Sequence, residues 1–506
     1  SNMTAMKYLL PTLLVLAEGT CLASGWVPII LRGRPKGGML GPPREKRPGE
    51  VLPQPMIFNL QMRDHFSGSR VYYWNQRYFV NDAFFKPGGP IFLLIGGEAS
   101  ADPLWLLDGA MVEYAKTFNA FCALLEHRFY GKSQPTNDLS LESLTFLNSK
   151  QALADIAAFI DDELRIKFNL TNNKLVTFGG GYSGSLSAWF RSKYPQMVDG
   201  AVASSAPIYM DLDVGSYLAT ITDVMGNTSH PACVKETFTA TNTIFEWWGQ
   251  PDKLEKMFQM FRLCDRIDHD NLIEPSALYS ALADNWQLVA QYNGVNRTFT
   301  GTTLNTTETT INTLCSIMTD SSRGPSIQRY ADVSNLILEK FGKKCLDFKY
   351  QKLISEMKQE SLESSVAEGA RQWIYQSCTE FGWFAGSDRG QVPFGPYFAL
   401  PFNYSCDQCA SLFGQEYFCS LEYQTDDINR YYGGYRMQLS NAVFPSGTND
   451  PWYPLMFNGT LPNHAEPVVI HGTAHCADLY PSSQNDPPQL KEAREKIANM
   501  INIWIS

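Results

Sequence analysis

Asp450 and His475 are the residues whose types and setting best suit proton transfer. Asp450 stands in Gly447-Thr-Asn-Asp450-Pro-Trp452, just past the short apolar run Asn441–Ser446. His475 stands in Gly472-Thr-Ala-His475-Cys-Ala-Asp478, just past Pro467–His471. An imidazole beside a carboxylate can take up and return a proton, while the carboxylate fixes its tautomer and stabilises its charged form. Taken singly, a turn-capping Asp before Pro451 and a loop histidine would be the plainer readings. Their chain order and their places at two strand ends favour the pair. A nucleophile should lie upstream. There Lys174–Phe178 reads as a buried strand, Gly179-Gly180-Gly181-Tyr182-Ser183-Gly184 as a tight corner, and Ser185–Tyr194 as a helix stopped at Pro195. Strand, corner and helix make the setting of a nucleophile elbow. Counting from the strand end, the tip is Gly181, flanked by the small residues Gly179 and Ser183. The expected nucleophile position therefore carries no side chain.

Ser183 is the alternative nucleophile. A shift of two residues keeps the strand face but moves a hydroxyl by about 6–7 Å at an extended rise of about 3.3 Å per residue. Proton transfer to histidine needs about 2.6–3.2 Å, so packing on the first helical turn is the reading to prefer for Ser183. Two backbone N–H groups could receive developing negative charge: Tyr182, one residue past the tip, and Gly97 in Gly96-Gly97-Glu98. Glu126-His127-Arg128 could line the same rim, with a structural ion pair the better role for Arg128. Trp373, Tyr375, Phe381, Trp383 and Phe384 form an aromatic cluster, and Trp452 adjoins Asp450. If Trp373 and Trp452 line the cleft, they would bind substrate.

The elements that must hold these residues are legible as apolar runs. Arg70–Phe79, Pro90–Ile95, Phe121–Leu125, Lys174–Phe178 and Gly200–Pro207 read as strands, with a helical stretch from Ala152 to Phe168. Continuous apolar strands alternating with helices call for a parallel sheet covered on both faces. From 209 to 430 the pattern is amphipathic and helical, as over Pro251–Cys264 and Ile327–Phe341. Two strands then return, followed by a helix over Pro488–Ile505. The expectation is an α/β chain with the α/β-hydrolase fold, in parts 51–208 and 431–506, interrupted by a mostly helical cap at 209–430.

Net charge is −10 over 506 residues, which gives no basis for a nucleic-acid partner. Met6-Lys7 followed by Leu9–Ala17 reads as a signal peptide over 1–24, too short to span a bilayer. Residues 25–50, rich in Gly, Pro and basic side chains, read as a linker or pro-segment without a core. Arg44-Glu-Lys-Arg47 resembles a processing site, though Pro48 would hinder cleavage. Of eleven cysteines, Cys21 would leave with the signal, and the remaining ten should mostly pair. Cys406-Asp-Gln-Cys409 belongs with those disulfides rather than with a metal or redox centre. Sequons at Asn169, Asn227, Asn296, Asn305, Asn403 and Asn458 point to glycosylation in a secreted or lysosomal/endosomal lumen. No metal site and no cofactor fingerprint is expected; a peptide is the expected partner and a homodimer the candidate assembly.

Several of these motifs together resemble one family. They are Phe178-Gly-Gly-x-Tyr-x-Gly-Ser-Leu, Glu126-His-Arg-Phe-Tyr-Gly131, Asp450-Pro-Trp452, the Gly-x-x-His-Cys around His475, and Trp373–Gly382. The family is that of lysosomal Pro-X carboxypeptidase, dipeptidyl peptidase II and thymus-specific serine protease, with the thymus-specific branch most alike. The resemblance runs from about residue 55 to the C-terminus. It implies serine exopeptidase chemistry, often after proline, with Asp450 and His475 as acid and base. The family's serine falls at Gly181. Three readings follow: a stable but disarmed hydrolase, either a natural pseudoenzyme or a Ser→Gly variant; a working peptidase using Ser183; or a secreted, glycosylated peptide-binding or structural protein.

Overall fold

The computed structural model describes residues 27–506 apart from 69, 388–391, 397–398, 419–420, 458 and 460–464. The signal peptide read at 1–24 and the sequon at Asn458 lie outside the described residues.

The runs of consecutive apolar residues become the centre of one eight-stranded sheet. Its strands are β1 (Met56–Met62), β2 (Tyr73–Asn81), β3 (Ile91–Ile95), β4 (Phe121–Leu125), β5 (Leu175–Gly180), β6 (Gly200–Ser204), β7 (Ala442–Gly447) and β8 (Ala465–Ile470). They lie in the order β8-β7-β6-β5-β3-β4-β2-β1. β1, β2 and β4 pair antiparallel, and every other neighbouring pair is parallel. Every residue of β3 to β7 is buried. A parallel strand covered on both faces has no solvent side to mark with polar residues, so its sequence runs apolar without alternation. β2 sits toward the edge and does alternate, with Trp74, Gln76 and Tyr78 turned inward. This mixed, mostly parallel sheet with its covering helices is an α/β-hydrolase fold.

Helices α1 (Ala110–Phe118), α2 (Ser149–Phe159) and α3 (Tyr182–Lys193) follow β3, β4 and β5. α2 starts where the Asn148 side chain accepts from the Gln151 N–H. The helix expected up to Phe168 instead widens into a π-helical stretch over Ile160–Lys167. It brings the Glu163 carboxylate to the Tyr78 hydroxyl and the Lys167 ammonium, 2.5 and 2.6 Å away. Between β6 and β7 the chain leaves the sheet for a run of helices, among them Cys233–Trp247, Glu274–Gln291, Ser326–Lys340 and Ala370–Gln376. Cys233–Cys315, Cys264–Cys345 and Cys378–Cys409 cross-link this region, and Cys406 is disulfide-bonded as well. Cys122 and Cys476 are buried free thiols, so not every cysteine pairs. Asn169, Asn227, Asn296 and Asn403 are exposed and Asn305 half-buried.

Residues 27–50 depart from the expectation of a segment without a core. Ile30, Leu31, Arg34 and Met39 are all buried, and a short hairpin pairs Ile30–Leu31 with Arg34–Pro35. Its composition is that of coil, but its side chains and carbonyls are held by distant parts of the chain.

Arg128 has the ion-pair role expected of it. Its guanidinium donates to both Asp155 oxygens at 2.6 Å and to the carbonyls of Arg63, Phe146 and Met62. All five guanidinium N–H groups are thereby used, and both charged side chains are fully enclosed. Removing one member of such a pair strands the other in low dielectric. Arg128→Ala should cost about 3–5 kcal/mol in denaturant unfolding, with Arg128→Lys recovering little of it because the planar fork is lost.

Candidate active site

The end of β5 turns sharply into α3 at Gly181, whose φ of 62° and ψ of −129° lie where glycine is at ease and L-residues are strained. The turn is tight enough that a Cβ on Gly179 would meet the Ser183 carbonyl at 2.1 Å. A Cβ built on Gly181 would stand 3.1 Å from Nε2 of His475. The loops after β7 and β8 bring the other two residues to this corner. Nδ1 of His475 lies 2.8 Å from Oδ2 of Asp450, and neither side chain is exposed to solvent. Asp450 Oδ1 accepts from the Trp452 N–H at 3.0 Å, and the His475 N–H donates to the Gln291 carbonyl at 2.9 Å. With its Nδ1 hydrogen given to Asp450, neutral His475 presents the Nε2 lone pair toward Gly181. Nε2 has no hydrogen-bond partner among the described residues. Burial opposes the charged imidazole, but the adjoining Asp450 carboxylate and Cys476 outweigh it, so His475 titrates above the usual histidine value.

Ser183 is turned away from this chemistry. Its hydroxyl donates to the Gly180 carbonyl and accepts from the Gly180 N–H, each at 3.0 Å. Tyr182 opens α3, so its backbone N–H has no carbonyl one turn earlier to bond. Gly97 lies against the same turn: a Cβ there would sit 3.4 Å from that of Ser183. The Tyr182 ring joins Trp373, Phe381 and His127 at centroid distances of 6.0, 5.1 and 5.4 Å. Phe381 stacks on Trp383, which meets Trp452 edge-on. The aromatic cluster is thus continuous from the elbow to the residue beside Asp450, whereas Tyr375 turns off toward Phe413.

Behind the elbow runs a hydrogen-bonded chain that spacing did not reveal. Tyr130 O–H donates to Gln376, Gln376 to the Tyr182 oxygen, Tyr182 O–H to Nε2 of His127, and Nδ1–H of His127 to the Arg128 carbonyl. The directions follow because a carbonyl can only accept. His127 is thereby held neutral, and burial lowers its pKa from 6.5 to about 4. A folded value below the unfolded one means the native state binds fewer protons, so stability rises with pH between about 4 and 6.5. At 1.36 kcal/mol per pH unit the gain is about 3 kcal/mol. Asp478, pushed up from 3.8 to about 6 chiefly by burial, has the opposite slope between those values. The informative comparison is therefore His127→Gln against its parent. Urea midpoints at pH 4.5 and about 7 should show the variant gaining less from the rise in pH than the parent does. Equal gains would place the His127 proton elsewhere.

Comparison with known proteins decides the family. The model of serine carboxypeptidase S28 peptidases matches residues 61–497. The chain belongs to that family. It is 33% identical to the putative serine protease K12H4.7 of Caenorhabditis elegans, over 94% of each chain. It is 30% identical to human thymus-specific serine protease, over 88% of this chain and 85% of that one. To human lysosomal Pro-X carboxypeptidase it is 28% identical, over 89% and 88%. Among solved structures it is similar to a proline iminopeptidase of Mycobacterium smegmatis at 11% identity, covering 85% of this chain and 95% of that one with a TM-score of 0.35. Membership in a peptidase family implies peptide substrates, and the disulfides fit an extracellular or lumenal setting. No helix among the described residues is long and apolar enough to cross a membrane, and none of their acidic, histidine or cysteine side chains cluster as a metal site.

Proposed function

We propose that this chain is a prolyl-type serine exopeptidase in architecture whose nucleophile position is vacant, leaving a peptide-binding cleft with little or no hydrolytic power. Asp450 and His475 are its acid and base, Gly181 stands at the nucleophile position, and the Tyr182 and Gly97 N–H groups form the oxyanion site. The supporting observation is that Nε2 of His475 faces the elbow tip, where a side chain on Gly181 would begin 3.1 Å from it. Ser183 is engaged with Gly180 instead, which weighs against the reading of a working peptidase built on it. The compartment is the lysosomal lumen or the cell exterior, with glycans on the exposed sequons.

A fluorophosphonate probe tests the vacancy directly. It should leave no covalent adduct on this chain, because an activated serine is what such probes capture. A phosphonylated Ser183 in the tryptic digest would overturn the proposal.

A further inference from the structure

Residues 30–41 lie across the reaction centre. The Met39 side chain covers the elbow: a Cβ on Gly181 would meet its sulfur at 3.0 Å and its own Cβ at 3.3 Å. Met39 and His475 are both fully buried. A proton shuttle sealed in this way can meet no incoming peptide.

The grip on this segment is that of a site on a ligand. At its leading end Arg32 (φ 50°) and Gly33 (φ 74°) make the two-residue turn of the short hairpin, the geometry that two positive φ values allow. That turn is held by the two aromatic residues read as substrate-binding. Gly33 is pressed on Trp452, where a Cβ would come within 2.1 Å of a ring carbon, and Trp373 Nε1 donates to the Arg32 carbonyl at 3.2 Å. Further along, side chains read main-chain carbonyls, as a site must when it takes peptides of varied sequence. Gln291 donates to the Gly33 carbonyl and Tyr292 to that of Met39, both at 2.8 Å, and Arg297 donates to that of Gly38. One side chain is read by charge. Arg34 pairs with Glu368 at 3.2 Å and donates through Nε to the Glu98 carbonyl at 2.7 Å. A cavity of about 580 Å³ stays open beside the segment, lined by Gly38, Leu40, Gly97 and Ser183 among others but not by Gly181 or His475. Beyond the gripped part, residues 45–49 are exposed and would serve as the tether, anchored through Arg44 and Arg47 to Asp108 and through Arg44 to Glu50.

We infer that residues 30–41 are a tethered peptide ligand of the cleft, which must leave before another peptide can enter. The site so defined takes a basic peptide folded into a tight turn, with an arginine between the Glu98 carbonyl and the Glu368 carboxylate and an apolar side chain over the elbow. This rests on the reading of the cleft as a peptide site. A tether holds its ligand at an effective concentration of order millimolar. Severing it in a 1 µM solution should ease competition by about a thousandfold.

The test uses the full chain with a viral-protease recognition sequence inserted between Gln54 and Pro55, both exposed. The probe is a fluorescein-labelled synthetic peptide of residues 29–42, followed by anisotropy. The uncut chain should show no saturable binding. The cut chain should release its own fragment and bind the probe, with an apparent Kd about a thousandfold lower than any seen before cutting. A probe carrying Arg34→Ala should bind at least tenfold more weakly. In the uncut chain, Glu368→Gln should speed hydrogen exchange over 30–41 while leaving the central strands unchanged. The inference is overturned if the cut chain keeps its fragment against excess probe, if it unfolds when the fragment leaves, or if cut and uncut chains bind equally. No reacting serine takes part, so an inert Gly181→Ser variant alongside successful exchange would count against the proposed function alone.

Discussion

Gly181→Ser, made in the chain with the 30–41 segment displaced, is expected to raise turnover of a proline-containing peptide by about 10⁶-fold. That figure is what removal of the nucleophile costs in a well-characterised serine protease, taken in reverse. The geometry for the gain is in place. A Cβ at position 181 would stand 3.1 Å from Nε2 of His475, and once the imidazole yields by a few tenths of an ångström the hydroxyl it carries can reach the range of about 2.6–3.2 Å that proton transfer needs. The lone pair on Nε2 has no other partner among the described residues. Two costs accompany the change. A non-glycine residue at φ 62° carries about 1–3 kcal/mol of backbone strain, so the variant should melt below its parent. The Met39 sulfur must also give way, which is why the segment is cut first. Stopped assays of peptide release, together with fluorophosphonate labelling of the introduced serine, measure the outcome. Background rates and no label in a folded variant would show that Gly181 is not the nucleophile position.

The contrast between what spacing revealed and what it hid has a physical origin. β3 to β7 were readable to within three residues at each end because a strand buried on both faces must be apolar throughout. The elbow was readable because a strand-to-helix turn this tight admits only small residues around its tip. The meeting of Asp450 and His475 was readable because each lies in the loop that follows a neighbouring strand. β1 was missed: Met56–Met62 is a half-exposed edge strand, and a register shift between Phe58 and Gln61 breaks its alternation. The part played by residues 27–50 was hidden for a different reason. Glycine and proline give that stretch the composition of a linker, and nothing local encodes its burial. Its partners Glu98, Gln291, Tyr292, Arg297 and Glu368 are scattered over the chain and meet only in three dimensions. Gln376 meets Tyr182, and Tyr182 meets His127, by the same route.

In the Gly181→Ser background, Asp450→Asn should remove about 10⁴ of the recovered kcat, the effect of the same exchange in the serine-protease triad. Asp450 now accepts the Nδ1 hydrogen of His475 at 2.8 Å, which leaves Nε2 bare toward the elbow. An amide turned to donate at that position would favour the other tautomer, with hydrogen on Nε2 and no base facing the serine. The substitution also removes the carboxylate that outweighs burial and raises the histidine pKa. The sign of the pH effect follows. A raised pKa means the neutral, basic imidazole appears only at higher pH, so the parent's kcat/KM should rise with pH along a limb displaced to the alkaline side of 6.5. In the Asn variant that limb should move toward acid even as the plateau falls. Binding of the labelled 29–42 peptide should survive the exchange, since the Asp450 side chain makes no direct hydrogen bond to that segment and the amide keeps an oxygen to accept from the Trp452 N–H. A collapse of activity with the limb unmoved would make Asp450 a brace for the Trp452 loop, through the 3.0 Å bond from its N–H, rather than the partner that sets the proton on His475.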